Sequence, residues 1–354
     1  MTVLFITRKY PPQVGGMERF SFELFRHLNI DKRLVAHSQG SRLAIIWIAP
    51  SLLIRGLLQA PGSDIIYIAD GVLAPIGWLI GLITRKPVVV TIHGLELTYQ
   101  MPLFKKVMVY FYRNLNHIIT VSENSRQLAV KLGIQPNRVS VIPNGVSISE
   151  NTKKFERSDL TNRIGLNTDN QFVLLSMGRL VKRKGIKWFI NEVCPQMKNN
   201  WLYVIAGAGP EEEQIKKAIS ETDLGDRIIM LGRVSEEDKE LLLQTSDCFV
   251  MPNIPVSGDV EGFGITAIEA AAHGLPVVAS RLEGLNDAII DSYNGYLVKH
   301  GKPEAFMKKI SDLADCKNLH TISDKIATYT KKYYNWKYIS HLYIEEFKKL
   351  LPHV

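Results

Sequence analysis

Two carboxylates eight positions apart, Glu261 and Glu269, flank a Gly-Phe-Gly turn in the stretch EGFGITAIEAAAHGLPVVAS. The segment ITAIEAAAHG favours a helix by composition, with Gly274 as its C-cap. A helix starting near Gly264 would turn its first free amides and the positive end of its dipole toward an anion such as phosphate. Glu269 would then lie about one and a half turns further on, at ~3.6 residues per turn. There its carboxylate could accept hydrogen bonds from a ribose, as acids do in other nucleotide folds. Glu261, in the loop ahead of the helix, would reach the group beyond the phosphates. Small side chains at Ala270, Ala271 and Ala272 would let the helix lie close to a sheet. Most surface acids are merely solvated, so this chemistry depends on what surrounds it.

Two other turns carry chemistry of the same kind. RLVKRKG sets Arg179 and Lys184 five residues apart after an apolar run. An Arg can grip phosphate oxygens in bidentate fashion while a Lys adds a point charge, a combination suited to a diphosphate. Taken alone, this turn is equally a basic surface loop. Near the N-terminus Gly15 and Gly16 precede a helical pattern, where glycine lets amides approach an anion closely, although a Gly-Gly pair is more often a plain loop joint.

The elements that would position these turns alternate. VLFIT is followed by a segment in which Met17, Phe20, Leu24 and Leu28 recur at helical spacing. Apolar runs follow at 64–69, 87–93, 117–122 and 139–146, then, after the polar stretch SISENTKKFERSDLTNRIG, at 172–178, 201–209, 227–232, 247–252 and 275–280. Near-continuous apolar strands separated by helical segments predict parallel sheets covered on both faces. Ser235 with Asp238 forms the pattern of a capping box. The expected fold class is α/β, with two doubly wound Rossmann-like domains facing across a cleft. Residues 1–155 and 156–328 form the domains, and 329–354 form a closing helix free to pack on either. Such sheets bind ligands beyond the carboxyl ends of their strands.

A chain of 354 residues has the length of two ordinary domains, and 46% hydrophobic against 22% charged residues describes a folded protein. Cys194, Cys248 and Cys316 are scattered, which indicates neither a disulfide framework nor a zinc site and fits a reducing cytosol. MTVLFITRKY reads as a first strand, not a signal peptide, and the apolar stretches at 45–58 and 72–83 fall short of the roughly 20 residues of a membrane span. The net charge of +8 resides in residues 1–150, which hold 16 Lys/Arg against 8 Asp/Glu, while 151–354 hold 27 against 27. A basic half suggests an anionic partner, with ordinary solubility as the alternative.

The Glu-x7-Glu stretch resembles the signature of retaining glycosyltransferases of the two-Rossmann-domain (GT-B) type, family 4. PPQVGGMERF, TIHGLE, TVSENSRQLAVKLG, VIPNGV, GRLVKRKG, AGAGPEEE and LGRV stand in the family's order. The resemblance implies that Gly16 and the amides at Phe263, Gly264 and Ile265 contact a donor diphosphate, and that Arg179 and Lys184 neutralise it. It further implies that Glu269 holds the ribose, that the backbone near Val234 meets the base, and that Glu261 binds the transferred sugar. His93 would lie near that sugar, although a lone His in this setting is more often structural. Gly15, Ser122 and Asn144 would line the cleft. No Asp-x-Asp occurs, and the family is similarly metal-independent, so neither a metal nor a cofactor is expected beyond a nucleotide diphosphate sugar as co-substrate. The chain departs from the family at RLEGLND, where Glu283 stands at a position often occupied by glycine.

By the same resemblance the expected activity is transfer of a hexosyl-type sugar to a glycan or lipid-linked acceptor in cell-surface glycan synthesis. MPLFKKVMVYFYRNL, with Lys105, Lys106 and Arg113 among aromatics, suits an interfacial helix on an anionic cytosolic leaflet, or else an amphipathic core helix. The expected location is cytoplasmic and peripheral to the membrane. A non-catalytic nucleotide-sugar-binding scaffold is the rival reading, but it predicts loss of the acids or basic pair. A nucleic-acid binder lacks any recognised motif, and a dehydrogenase lacks GxGxxG.

Overall fold

A computed structural model describes residues 1–13, 15–37, 45–98, 101–147, 153–197 and 200–351. They form two compact domains, each built on a parallel six-stranded sheet. The first comprises 1–145, 260–263 and 334–354, and the second 146–259 and 264–333. These divisions differ from those expected at 155 and 328, because compactness follows contacts and not changes in composition. Part of the polar stretch read as a junction, 148–152, lies outside the described residues.

The first domain runs β1 (Thr2–Thr7), α1 (Gly16–His27), β2 (Asp31–Ala36), α2 (Ile45–Gln59), β3 (Ile65–Ile68), α3 (Ala74–Thr84), β4 (Val88–Ile92), α4 (Pro102–Asn114), β5 (His117–Thr120), α5 (Glu123–Lys131) and β6 (Val139–Val141). Its strand order is β2-β1-β3-β4-β5-β6. Alternate residues of each strand enter opposite cores. Leu4, Ile6, Ile66, Ile68 and Val90 pack with α2 to α5, while Val3, Phe5, Ile65, Tyr67 and Val89 face the other way. That alternation with no polar face is why the strands read as continuous apolar runs.

The second domain follows with α6 (Arg157–Ile164), β7 (Phe172–Met177), α7 (Ile186–Glu192), β8 (Trp201–Ala206), α8 (Glu212–Ser220), β9 (Ile228–Gly232), α9 (Glu236–Thr245), β10 (Cys248–Met251), α10 (Ile265–Ala272), β11 (Val277–Ser280), α11 (Leu285–Ala288), β12 (Tyr296–Val298), α12 (Pro303–Ala314) and α13 (Leu319–Tyr333). Its order, β12-β11-β10-β7-β8-β9, reverses direction between β7 and β10. That is the strand arrangement of a dinucleotide-binding sheet, whose ligands sit beyond the reversal point.

The last helix, α14 (Trp336–Lys348), returns to the first domain. Trp336, Ile339, Tyr343 and Phe347 are buried against Phe5, Phe20, Leu24 and Tyr67. Thr91 Oγ1 bridges the hydroxyls of Tyr67 (2.6 Å) and Tyr343 (3.2 Å), so the polar tips of this aromatic core are satisfied. Burial raises the pKa of both phenols, which keeps them as neutral hydrogen-bonding groups.

Two strands escaped the sequence reading. β2 and β12 are sheet edges, and β2 (DKRLVA) buries only Val35 while β12 is three residues long, so neither presents the apolar run that marks a central strand. β2 and α2 both lie within the span 31–64. Replacing Phe347 with Ala should lower stability by about 3–5 kcal/mol through loss of a fully buried ring. Urea unfolding followed by tryptophan fluorescence measures it.

Candidate active site

The β7–β10 reversal point gathers the phosphate-type residues of the second domain. Gly178, Arg179 and Lys184 follow β7 and line a pocket with Ser176, Met251, Pro252 and Asn253, at the carboxyl ends of both strands. Arg179 is exposed and Lys184 half-buried. The turn is held by the Ile254 N–H donating to the Arg183 carbonyl (2.9 Å) and by the Arg183–Asp259 ion pair (2.8 Å). Gly185 has φ 66°, and a Cβ there would overlap the Pro252 carbonyl oxygen, so the turn closes onto the β10 loop only with glycine.

Helix α10 opens beside this turn. Its N-cap is Gly264 at φ 95°, and among the described residues no side chain caps it; the Ala267 N–H donates to the Gly264 carbonyl (2.9 Å), which leaves the amides of Ile265 and Thr266 for another acceptor. A Cβ on Gly178 would lie 3.7 Å from Thr266 Cγ2, so the first turn of α10 abuts the start of the basic turn. Gly264, Ile265, Arg179 and Lys184 thus share one end of one sheet. Ala270, Ala271 and Ala272 are fully buried against the sheet.

Glu269 is buried, and Lys239 Nζ on α9 donates to its Oε1 at 2.8 Å. Lys239 was not anticipated, because thirty residues separate the pair and no motif contains both. Val234 precedes α9, whose Ser235–Asp238 capping box forms as expected. The loop that departs from the family also has a local explanation: Glu283 takes φ 48°, the left-handed conformation glycine adopts freely.

The remaining candidates belong to the first domain, and Glu261 is among them. Although α10 follows directly, residues 260–263 pack with the first sheet. Gly262 runs against the His93 main chain so closely that a Cβ would overlap the His93 carbonyl oxygen, and a Cβ on Gly94 would come 3.2 Å from Gly262 Cα. Glu261 (7% exposed) and Phe263 are buried on either side, and Phe263 packs at 6.2 Å from Tyr334. The structure therefore sets Glu261 and His93 on adjacent backbone segments, though one residue comes from each half of the sequence.

His93 stands edge-on to Phe20 at 4.7 Å, and its Nε2 lies 3.3 Å from the Ala69 carbonyl oxygen. A carbonyl can only accept, so Nε2 carries a proton and donates to Ala69. Gly15 and Gly16 open α1, where Lys9 pairs with the first-turn Glu18 at 2.7 Å, so a carboxylate of the chain itself already faces that dipole. Ser122 is spent on structure: it is fully buried and caps α5 by accepting from the Ser125 N–H. Asn144 is buried with Oδ1 lacking a hydrogen-bond partner. Among the described residues, no group of three or more His, Cys, Asp or Glu could hold a metal.

Comparison with known families is consistent with this geometry. Residues 3–150 match the model described as Glycosyltransferase Family 4, and 159–333 match glycosyl transferases group 1. The chain belongs to this glycosyltransferase family. The transferase is 24% identical, over 88% of both chains, to the Escherichia coli UDP-Gal:alpha-D-GlcNAc-diphosphoundecaprenol alpha-1,3-galactosyltransferase. It is 26% identical to the GDP-mannose:cellobiosyl-diphosphopolyprenol alpha-mannosyltransferase of Xanthomonas oryzae, covering 99% of this chain and 97% of that one. Its fold matches the crystal structure of Anabaena HepE in complex with UDP (TM-score 0.78, 20% identity, 99% and 100% of the two chains). The fold class is GT-B.

Gly262→Ala should destabilise the transferase by about 1–3 kcal/mol, since backbone must move to admit the methyl group. Thermal unfolding tests it, with an unchanged midpoint as the contrary result.

Proposed function

We propose that this transferase moves a hexosyl-type sugar, with retention of configuration, from a nucleotide diphosphate sugar to a glycan or lipid-linked acceptor in cell-surface glycan synthesis. The observation carrying this reading is the convergence of Arg179, Lys184 and the uncapped α10 N-terminus at the β7–β10 reversal. Cleaving the bond between the sugar and its phosphate leaves both electrons on the nucleotide diphosphate, so positive groups preorganised there stabilise the transition state. The acceptor oxygen forms the new bond to the anomeric carbon and loses its proton to the departing phosphate. Two relatives whose names specify diphosphoprenol-linked acceptors support that acceptor class.

In this assignment the basic pair and the amides around Phe263, Gly264 and Ile265 hold the diphosphate, and Gly16 also contacts it. Glu269, oriented by Lys239, accepts from the ribose, and the backbone at Val234 meets the base. Glu261 and His93 serve the transferred sugar, and Gly15 and Asn144 line its approach. No cofactor or divalent metal takes part. Arg179→Ala should lower kcat/KM about 100-fold, the scale for losing one preorganised donor. Excess EDTA should leave activity intact. Release of nucleoside diphosphate across a panel of UDP- and GDP-sugars measures both; equal turnover by wild type and Arg179→Ala refutes the assignment.

The same proposal includes peripheral contact with an anionic leaflet at the cytosolic face. Helices α2, α3 and α4 contain no Asp or Glu, pack on one face of the first sheet, and expose Ile54, Leu58, Leu82, Leu103, Val107 and Tyr110. Among the described residues no helix is long and apolar enough to cross a membrane. Apolar residues beside Lys105 and Lys106 fit the boundary between headgroups and acyl chains. Co-sedimentation with phosphatidylglycerol vesicles at low salt should be strong for wild type and lost in Leu103→Asp/Tyr110→Asp.

A further inference from the structure

The turn bearing His93 also carries a carboxyl group that the assignment above leaves without a role. Glu96, on the short helical turn Leu95–Leu97, is 6% exposed. Its Oε2 accepts from the His93 main-chain N–H at 3.2 Å, while its Oε1 is buried without a hydrogen-bond partner. Across from it lies the turn after β3. A Cβ on Gly71 would meet Glu96 Cγ at 3.3 Å, its Oε1 at 3.5 Å and the Tyr112 hydroxyl at 3.0 Å. Ala69 and Asp70 lead into that turn, and Asp70 is fully buried and ion-paired to Arg8.

Two post-strand turns are thus tied at two points, through the His93 ring on the Ala69 carbonyl and through the Glu96 side chain packed on Gly71. The Glu261 segment then rests on the His93 and Gly94 backbone. We propose that Glu96 is a positioning residue, whose carboxyl group clamps the His93–Gly94 turn and thereby sets both the His93 ring and the segment carrying Glu261. This rests on the transferase roles proposed above for those two residues.

The clamp needs a hydrogen-bond acceptor and a filled volume, not a charge. Burial raises the Glu96 pKa; His93 opposes this and the nearby Asp70 adds to it. The groups facing Glu96 are therefore His93 on its own turn, Asp70 with its partner Arg8, and the Tyr112 hydroxyl from α4. An acid whose pKa is raised by folding is best tolerated while protonated, so the clamp weakens as pH rises through the folded-state value.

Steady-state release of nucleoside diphosphate by the full chain from a panel of UDP- and GDP-sugars, with the most active one used as donor, tests the clamp. Glu96→Gln, which keeps the acceptor and volume, should stay within about threefold of wild type and lose the decline in kcat at rising pH. Glu96→Ala should lower kcat about 30-fold with donor KM changed less than about threefold, because a misplaced turn costs the chemical step. In the His93→Ala background the same change should cost clearly less than in wild type, since the share of the clamp that acts through His93 is already gone and only the share acting through the Glu261 segment is left. Wild-type kcat in Glu96→Ala, multiplicative losses in the double variant, or a Gln variant as impaired as His93→Ala would each overturn the proposal. NMR of the His93 ring gives a readout independent of turnover. Its resonances should shift in Glu96→Ala and stay in place in Arg179→Ala. Unchanged resonances refute the clamp, whereas a shift without any sugar transfer by wild type refutes the transferase roles alone.

Discussion

The His93 carbonyl leaves no room for a side chain at Gly262, and this exclusion organises the first domain's share of the chemistry. The chain leaves the second domain after Asp259, lays four residues on the first, and returns at Gly264 to start α10. With a bare α-carbon at 262 and another glycine facing it at 94, two backbones pack where side chains would hold them apart. Glu261 is thereby a first-domain residue in its packing and a second-domain residue in sequence. An acid tethered to one domain and followed at once by a helix of the other is mechanically tied to both, by covalent connection alone.

In the proposed assignment the second domain meets a separate requirement, the accommodation of concentrated negative charge. A sheet whose winding reverses between β7 and β10 leaves their carboxyl ends uncovered by crossover connections. Into that gap come a basic turn pinned by Gly185 against the Pro252 carbonyl and a helix whose first amides no side chain satisfies. The Lys239–Glu269 pair lies on α9 and α10, and gives the carboxylate a fixed orientation. Preorganisation of this kind places the cost of ordering charged groups in folding and not in each turnover.

The first domain's outer helices pose an energetic question of their own. α2, α3 and α4 bury one face against the sheet and expose large apolar side chains on the other, beside lysines and with no acid among them. Exposed apolar residues gathered on one layer suit the leaflet contact proposed above. The aromatic core on the opposite face of the same sheet is closed by α14, with its hydroxyls paired through Thr91. The two faces of one sheet thus end differently, one sealed by the chain's own last helix.

Sequence alone determined the architecture and put the candidate phosphate-type residues in view, because both are written in local patterns. Central parallel strands must be apolar on both faces, a helix needs its caps, and Gly-Phe-Gly ahead of an alanine-rich segment marks a helix start wherever it occurs. Edge strands β2 and β12 were illegible because β2 opens on three charged residues and β12 is only three residues long, while the edges β6 and β9 kept apolar runs. Tertiary structure decided what no local pattern encodes. It paired Lys239 with Glu269, spent Ser122 on a helix cap, and set Glu261 against the His93 turn. It also gave Glu96 a buried place, though TIHGLE had already put the residue in view. A residue's type states what it can do, and only its distances in the fold state what it touches.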